Sequence, residues 1–397
     1  MTERLYYHDS FTREFDARVL RCEPAGAAHH VVLDRTLFYP TSGGQPFDTG
    51  ALSDARVVEV VDAEDDAIVH VTDRAVAPGA VHGAIDWPRR FDHMQQHTGQ
   101  HLLSAAFIEL FGFPTVSFHL GRETSTIDLA TKQLTAEQAA GAERRTNEII
   151  GEDRAVHIRF HTAAELESLG VRKKVEREGP LRVIDIEGFD RQPCGGTHVA
   201  RTGQVGMIQL RRFEKQRQNW RVEFVCGSRA LRAARDDYAA LSEAARTFGC
   251  TMAEVPAMVR KALDERKALE RQASELWERA AAAEAASLDL SAGQGSGGAP
   301  RVISKVYAQE PAAFLRRVAT LQAENPATVA LLASSAGGHV VFARSADVTT
   351  DMNALLRETL TAFGGKGGGQ PAFAQGTVPA GQPLEAVVQQ AEKSLRR

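Results

Sequence analysis

Cysteine is scarce in this chain. There are 4 in 397 residues (Cys22, Cys194, Cys226 and Cys250), too scattered to suggest a disulfide framework, so a reducing compartment fits best. No run of about 18 apolar residues occurs, which leaves nothing to span a bilayer as a helix. The opening stretch, MTERLYYHDSFTREF, carries charges where a signal peptide needs an apolar core, and a cytoplasmic protein is expected. The net charge is −4, which excludes a globally basic nucleic-acid binder; any RNA contact must come from local patches. No Walker motif, no GxSxG and no GxGxxG after a strand is found, so ATP is not expected as a substrate.

The patterning predicts an α+β protein in four parts. Over 1–88, short stretches such as RVVEVVDAEDDAIVHVT alternate polar and apolar residues between turn signals, which predicts an antiparallel, barrel-like β domain. Over 89–228 a helix is predicted for Phe91–Phe113, with Leu102, Leu103, Ala106, Phe107 and Leu110 on its buried side, ended by Gly112 and Pro114. TVSFHLG and TSTIDLA then read as paired strands, Thr135 as the N-cap of a second helix, and 163–179 as a short helix and basic loop. Over 229–290 two helices carry residues at steps of three and four: Leu231, Ala234, Tyr238, Leu241, Ala245 and Phe248, then Val259, Ala262, Arg266, Leu269, Ala273, Leu276, Ala280 and Ala283, with Arg266 the one polar intruder. That spacing predicts a helical hairpin or coiled-coil connector. SAGQGSGGAP is a linker, and the remainder of 291–397 alternates strand and helix as a small α/β domain. There the run GGKGGG reads either as a plain flexible surface loop or as a loop offering Lys366 among unhindered amides to a phosphate or RNA backbone.

Two distant segments carry the chemistry. In DHMQQHTGQHLLS, His97 and His101 are four residues apart on a helix and share a face. In PCGGTHV, Cys194 and His198 have the same separation, but Gly195 and Gly196 between them predict a tight loop. Three imidazoles and one thiolate suit tetrahedral Zn²⁺, one per chain. Asp92 and Gln100 are the expected outer-sphere partners. Between predicted strands, YPTSGGQPFDTG places two adjacent glycines after Thr41 and Ser42, either as a plain hairpin loop or as a wall against a substrate.

HTGQHLL together with CGGTH resembles the alanyl-tRNA editing family: the editing domain of alanyl-tRNA synthetase and its free-standing relatives, called AlaX. LYYHDSF, LFYPTSGGQPFDTG, TVSFHLG and VIDIEGFDRQPCGGTHV resemble the same family in the same order, and GGKGGGQPAFAQG resembles the C-terminal domain of alanyl-tRNA synthetase. The long AlaX form is the nearest likeness, with the aminoacylation domain missing. The resemblance implies a zinc-dependent deacylase acting in trans on tRNA(Ala) mischarged with serine or glycine. It implies that zinc activates water, polarises the ester or orients the aminoacyl end. It assigns His97, His101, Cys194 and His198 to the metal, and Thr41, Gln45 and Cys194 to catalysis. Thr41 would meet the serine hydroxyl, and Gly43, Gly44 and Gln45 would wall the aminoacyl group. Ser117 and His119 would lie near the terminal adenosine, and Lys366 on the tRNA. A homodimer through the connector or the C-terminal domain is a further expectation. Two other readings stand beside it: editing of a Thr-type tRNA, since threonyl-tRNA synthetase has a related editing domain, and a non-catalytic tRNA-binding protein with a structural zinc.

Overall fold

Period-two burial along the first strands closes them into a barrel. The computed structural model describes residues 2–63, 66–162, 165, 181–291 and 300–396. They divide into two units, Met1–Ala244 and Ala245–Arg397, each described by itself. In the first, β1 (Glu3–Arg4) pairs in parallel with β4 (Arg35–Thr36). The strands β2 (Glu14–Ala25), β3 (Ala28–Leu33), β5 (Gly50–Leu52), β6 (Ala55–Asp62), β7 (Ile68–Thr72) and β8 (Gly79–Ile85) form the closed barrel, in the order β2-β3-β7-β6-β5-β8. Val31, Leu33, Leu52, Val57, Val60 and Ile68 fill its interior. The β-branched side chains that favour a pleated surface thus also supply the core.

Helix α1 (Trp87–Phe111) leaves the barrel directly. Asp86 caps it by accepting from Arg89 N–H, Pro88 stands in the first turn, and Gly112, at φ 68°, closes it. The helix begins four residues before the predicted Phe91, because Asp86 and Pro88 supply a start signal that the alternation of the preceding strand obscures. Leu110, expected inside, is 43% exposed, and Phe111 and Phe113 pack against the core at that end of the helix instead. One ion pair fixes α1 to the barrel. Arg90, fully buried, meets the equally buried Asp48 carboxylate through Nε and Nη2, and gives its remaining donors to the carbonyls of Ser10 and Leu37.

Around α1 lie two sheets. β9 (Thr115–Leu120) and β10 (Ser125–Leu129) pair antiparallel and join β14 (Ile208–Gln216) and β15 (Asn219–Cys226) in the order β14-β15-β10-β9. β11 (Val156–His161), β12 (Leu181–Ile186) and β13 (Asp190–Pro193) make a three-stranded sheet. Helix α2 (Ala136–Gly151) starts in a capping box between Thr135 and Gln138. Met94, Leu102, Leu103 and Phe107 of α1 meet Ile127, Ile149, Ile184 and Phe224 in a common core. Helix α3 (Gly227–Phe248) follows. The short helix and basic loop expected over 163–179 lie, but for Glu165, outside the described residues, as do 292–299 of the expected linker.

In the second unit, α4 (Val255–Ser291) precedes β16 (Arg301–Tyr307), α5 (Ala312–Ala323), β17 (Thr328–Ser334), β18 (His339–Arg344), α6 (Met352–Ala362), β19 (Lys366–Gln370), β20 (Phe373–Thr377) and α7 (Leu384–Leu395). The sheet runs β16-β17-β18-β20-β19; only β16 and β17 are parallel. The glycine run is therefore an edge strand rather than a loop. A Cβ on Gly367 would come within 2.7 Å of the Gly376 Cα, so glycine is what lets these two strands approach. The predicted seam of α4 also needs correction. Ala281 and Ala285 are its buried residues near α5, packed with Phe314, Leu315 and Val318, whereas Leu269 and Leu276 are 64% and 61% exposed. Only the C-terminal part of α4 is covered by α5, so packing there chose a different stripe. Among the described residues, no helix is long and apolar enough to cross a membrane.

Candidate metal centre

The middle of α1 and the loop after β13 meet. His97 and His101 project from consecutive turns of α1, and Cys194 and His198 from the loop, so that one donor atom of each lies within 4.8 Å of every other. Cys194 Sγ is 3.4 Å from His97 Nε2 and 3.3 Å from His198 Nε2. Tetrahedral bonds of about 2.0–2.3 Å place neighbouring donors about 3.3–3.8 Å apart, a range the two Cys194 contacts meet, while the cluster as a whole spans up to 4.8 Å.

Each imidazole is fixed from behind. His97 Nδ1 is 2.8 Å from Gln45 Oε1, His101 Nδ1 is 3.2 Å from Asp190 Oδ2, and His198 Nδ1 is 3.1 Å from Thr98 Oγ1. The Gln45 oxygen also accepts the Thr197 N–H at 3.0 Å, while its NH₂ donates to Thr197 Oγ1 at 2.9 Å. A main-chain N–H can only donate, so Gln45 Oε1 is an acceptor and His97 Nδ1 must carry the proton. The lone pair of His97 is then on Nε2, facing the cluster. The Asp190 carboxylate imposes the same tautomer on His101.

Electrostatics agree with a thiolate. Burial resists ionisation of Cys194, but the His97 and His198 imidazoles and hydrogen bonds from His101 and His198 outweigh it and hold the thiol well below its usual range. Burial also opposes a charge on His101, yet Asp190 and Cys194 raise it to about 9. Burial keeps His198 well below the ordinary imidazole value. For His101 to serve as a ligand, its Nε2 would have to be free of its proton.

The loop backbone is selected by close approaches. A Cβ on Gly196 would collide with His97 Cε1 and lie 2.9 Å from Gln45 Oε1. Gly44, at φ +85°, would drive a Cβ to 2.8 Å from the Phe118 carbonyl oxygen. Its own carbonyl accepts Leu120 N–H at 2.9 Å, while Ser42 and Gln45 close the turn on each other. The Phe118 ring stacks on His97 with centroids 5.1 Å apart.

A cleft of about 570 Å³ opens against His97, His101 and Cys194, bordered also by Gly43, Gln100, Ser104 and Ser117. That volume is in the range of small-ligand sites. Thr41 is exposed, its hydroxyl accepting Phe47 N–H at 3.3 Å, and it is not among the residues lining the cleft. Ser117 donates to Asp128 at 2.5 Å, and Asp128 pairs with Arg221. His119 is exposed on β9 opposite Thr126. Lys366 belongs to the second unit, in a separate cleft of about 360 Å³ with Arg316 and His339.

Asp92 is not an outer partner of the cluster. It pairs with Arg229 at 2.6 Å, because five positions before His97 a helix points the side chain well away from that face. Gln100 reaches the cleft but donates to Ser104 Oγ at 2.9 Å. Sequence reasoning does not find Thr98 or Asp190. Thr98 sits inside HTGQH, and Asp190 four residues before Cys194 at the start of a strand, where alternation alone brings its carboxylate back to the metal loop.

Residues 181–223 match the family model described as the threonyl and alanyl tRNA synthetase second additional domain, residues 301–397 match the DHHA1 domain, and residues 12–89 match tRNA synthetases class II (A). Alanyl-tRNA editing protein AlaX-L of Pyrococcus horikoshii is 32% identical over 96% of this chain and 95% of its own. Alanyl-tRNA editing protein Aarsd1 of Mus musculus is 38% identical over 57% of this chain, the match spanning 60% of the mouse protein. Alanine–tRNA ligase of Pyrococcus abyssi is 30% identical over 98% of this chain, which spans 43% of the ligase.

Proposed function

Because the chain belongs to the alanyl-tRNA editing family, we propose that it is a free-standing cytoplasmic deacylase that cleaves the ester of tRNA(Ala) mischarged with serine or glycine. It uses one Zn²⁺ per chain. The chemical need is plain. A pocket that accepts alanine cannot exclude the smaller glycine and rejects serine poorly, so a second, hydrolytic site restores accuracy. The observation that carries this reading is the cleft that opens directly on His97, His101 and Cys194 beside the 41–45 loop.

When bound, Zn²⁺ would supply Lewis acidity at the cleft wall. His97, His101, Cys194 and His198 hold it, with Cys194 contributing the negative charge. Gly43 borders the space for the aminoacyl group, and Gly44 keeps Phe118 stacked against His97. Thr41, at the start of the same loop, stands outside the cleft lining and would meet the hydroxyl of a seryl group only after a shift of that loop. Gln45 acts through His97 and Thr197, whose positions it fixes, rather than on the substrate itself. Ser117 and His119 lie toward the terminal adenosine on β9. In the second unit, Lys366 with Arg316 and His339 forms a basic cleft suited to backbone phosphates. A second attachment there raises the affinity for the tRNA as a whole. A homodimer through the helical connector, 229–290, or the C-terminal domain, 291–397, is part of this proposal.

One observation favours a second reading. Four protein ligands close a tetrahedral site, which is the habit of structural zinc. The cleft beside three of those ligands argues for catalysis instead. The test is incubation of the purified chain with Ser-, Gly- and Ala-tRNA(Ala) and with Ser-tRNA(Thr). Faster loss of serine or glycine from tRNA(Ala) than of alanine is expected. Release no faster than in buffer leaves a tRNA-binding protein, and a preference for tRNA(Thr) moves the substrate to the other branch.

A further inference from the structure

The three imidazoles of the cluster each have a partner behind them; the fourth donor, Cys194, has one of a different kind. Its main chain is held at both ends by a single residue. Cys194 N–H donates to the Arg182 carbonyl at 3.1 Å, and Arg182 Nη1 donates to the Cys194 carbonyl at 2.6 Å. Arg182 Nε donates to the Tyr7 carbonyl at 2.8 Å, and the guanidinium stands 5.7 Å from the centre of the Tyr7 ring.

Arg182 is costly where it sits. It is only 8% exposed, no carboxylate among the described residues pairs with it, and its Nη2 finds no hydrogen-bond partner. Burial lowers its pKa, and the nearby Cys194 sulfur works in the opposite direction. A buried cation without a carboxylate is retained where its geometry is needed.

The need is visible in the loop. Gly195 and Gly196 follow Cys194, and Gly196 must be glycine to clear His97. Two glycines leave the chain free to rotate just where the thiolate must be held. Gln45 restrains the far end at Thr197. The near end depends on Arg182.

We propose that Arg182 is the positioning residue of the cysteine ligand, fixing the Cys194 peptide to the Tyr7 segment so that Sγ faces the three Nε2 atoms. The proposal rests on the metal reading of the cluster. A lysine cannot replace the fork, since one ammonium cannot reach the Tyr7 and Cys194 carbonyls in the same planar geometry. Arg182→Gln removes the guanidinium fork to the Tyr7 and Cys194 carbonyls and leaves the main-chain bond from Cys194 N–H to the Arg182 carbonyl in place. Tyr7→Phe changes neither, because Arg182 takes the main-chain oxygen.

The test uses the full chain loaded with Co²⁺, whose sulfur-to-cobalt absorption band reports the thiolate bond. Cys194→Ala identifies that band by abolishing it. Relative to wild type, Arg182→Gln is expected to bind Co²⁺ about 10–100-fold more weakly, by chelator competition, with a weakened or shifted band. Arg182→Lys should recover part of both, and Tyr7→Phe should match wild type. Thermal melts of each variant separate a positioning defect from a folding defect, and Arg182→Lys carries the comparison if Arg182→Gln does not fold. Wild-type affinity and an unaltered band in folded Arg182→Gln or Arg182→Lys overturn the proposal. A wild-type chain that takes up no Co²⁺ overturns the metal reading beneath it, which is a distinguishable result.

Discussion

Gln45 and His97 are 52 positions apart in the chain and joined by a hydrogen bond of 2.8 Å. One residue belongs to a loop between barrel strands, the other to the helix that leaves the barrel. The bond sets the protonated nitrogen of His97, and through Thr197 the same side chain holds the loop bearing Cys194 and His198. Replacing Gln45 by Leu strips both partners at once. Metal affinity should fall about 10–100-fold, read by chelator competition; unchanged affinity would show that the cluster needs no support from the barrel.

The Arg90–Asp48 pair is wholly inside the protein. Removing one partner leaves the other charge buried alone, so Arg90→Met should cost about 3–5 kcal/mol in urea unfolding. Arg90→Met combined with Asp48→Leu should recover a substantial part. Additive losses in the double variant would mean that the two residues contribute independently.

How much of this is legible in the sequence follows from what each signal depends on. The barrel strands and α1 carry their own periodicity, and the four candidate ligands announce themselves by residue type and by spacing within each half. The outer partners do not. Thr98 is an ordinary helix residue until the loop after β13 arrives, and the hydrogen-bonding role of Gln45 exists only once residues 97 and 197 meet it. The glycine run near Lys366 misleads for the same reason. Its conformation is decided by the partner strand carrying Ala374 and Gly376, and glycine composition by itself signals a loop. Asp92 is near the metal ligands in sequence, whereas Arg229 claims it in space.

His70 makes the barrel sensitive to acid. It is fully buried between Thr36 Oγ1 and the Val31 carbonyl, and burial lowers its pKa from 6.5 to about 4. The unfolded chain then binds a proton that the native state refuses between those values. The stability from the neutral imidazole is present above about pH 6.5 and drains as the pH falls toward 4, by about 3 kcal/mol at most. His70→Gln should therefore flatten the dependence of Tm on pH between 7 and 5. Parallel curves for variant and wild type would contradict this.

The basic cleft of the second unit should act through phosphates. Alanine at both Lys366 and Arg316 is expected to weaken tRNA binding, and to flatten the plot of log affinity against log salt by about one unit for each phosphate left without its cation. Metal content and the deacylation rate at saturating tRNA should stay as in wild type. An unchanged salt slope would exclude both side chains from the tRNA interface.

The proposal that two separated segments clasp one ion beside the cleft where the ester is cleaved is tested most directly by the rate of Ser-tRNA(Ala) deacylation after the metal is stripped and then returned. The account predicts a loss of activity on stripping, recovery at one equivalent of Zn²⁺ per chain, and no recovery in Cys194→Ala. Full activity in the metal-free protein, or in Cys194→Ala, would contradict it.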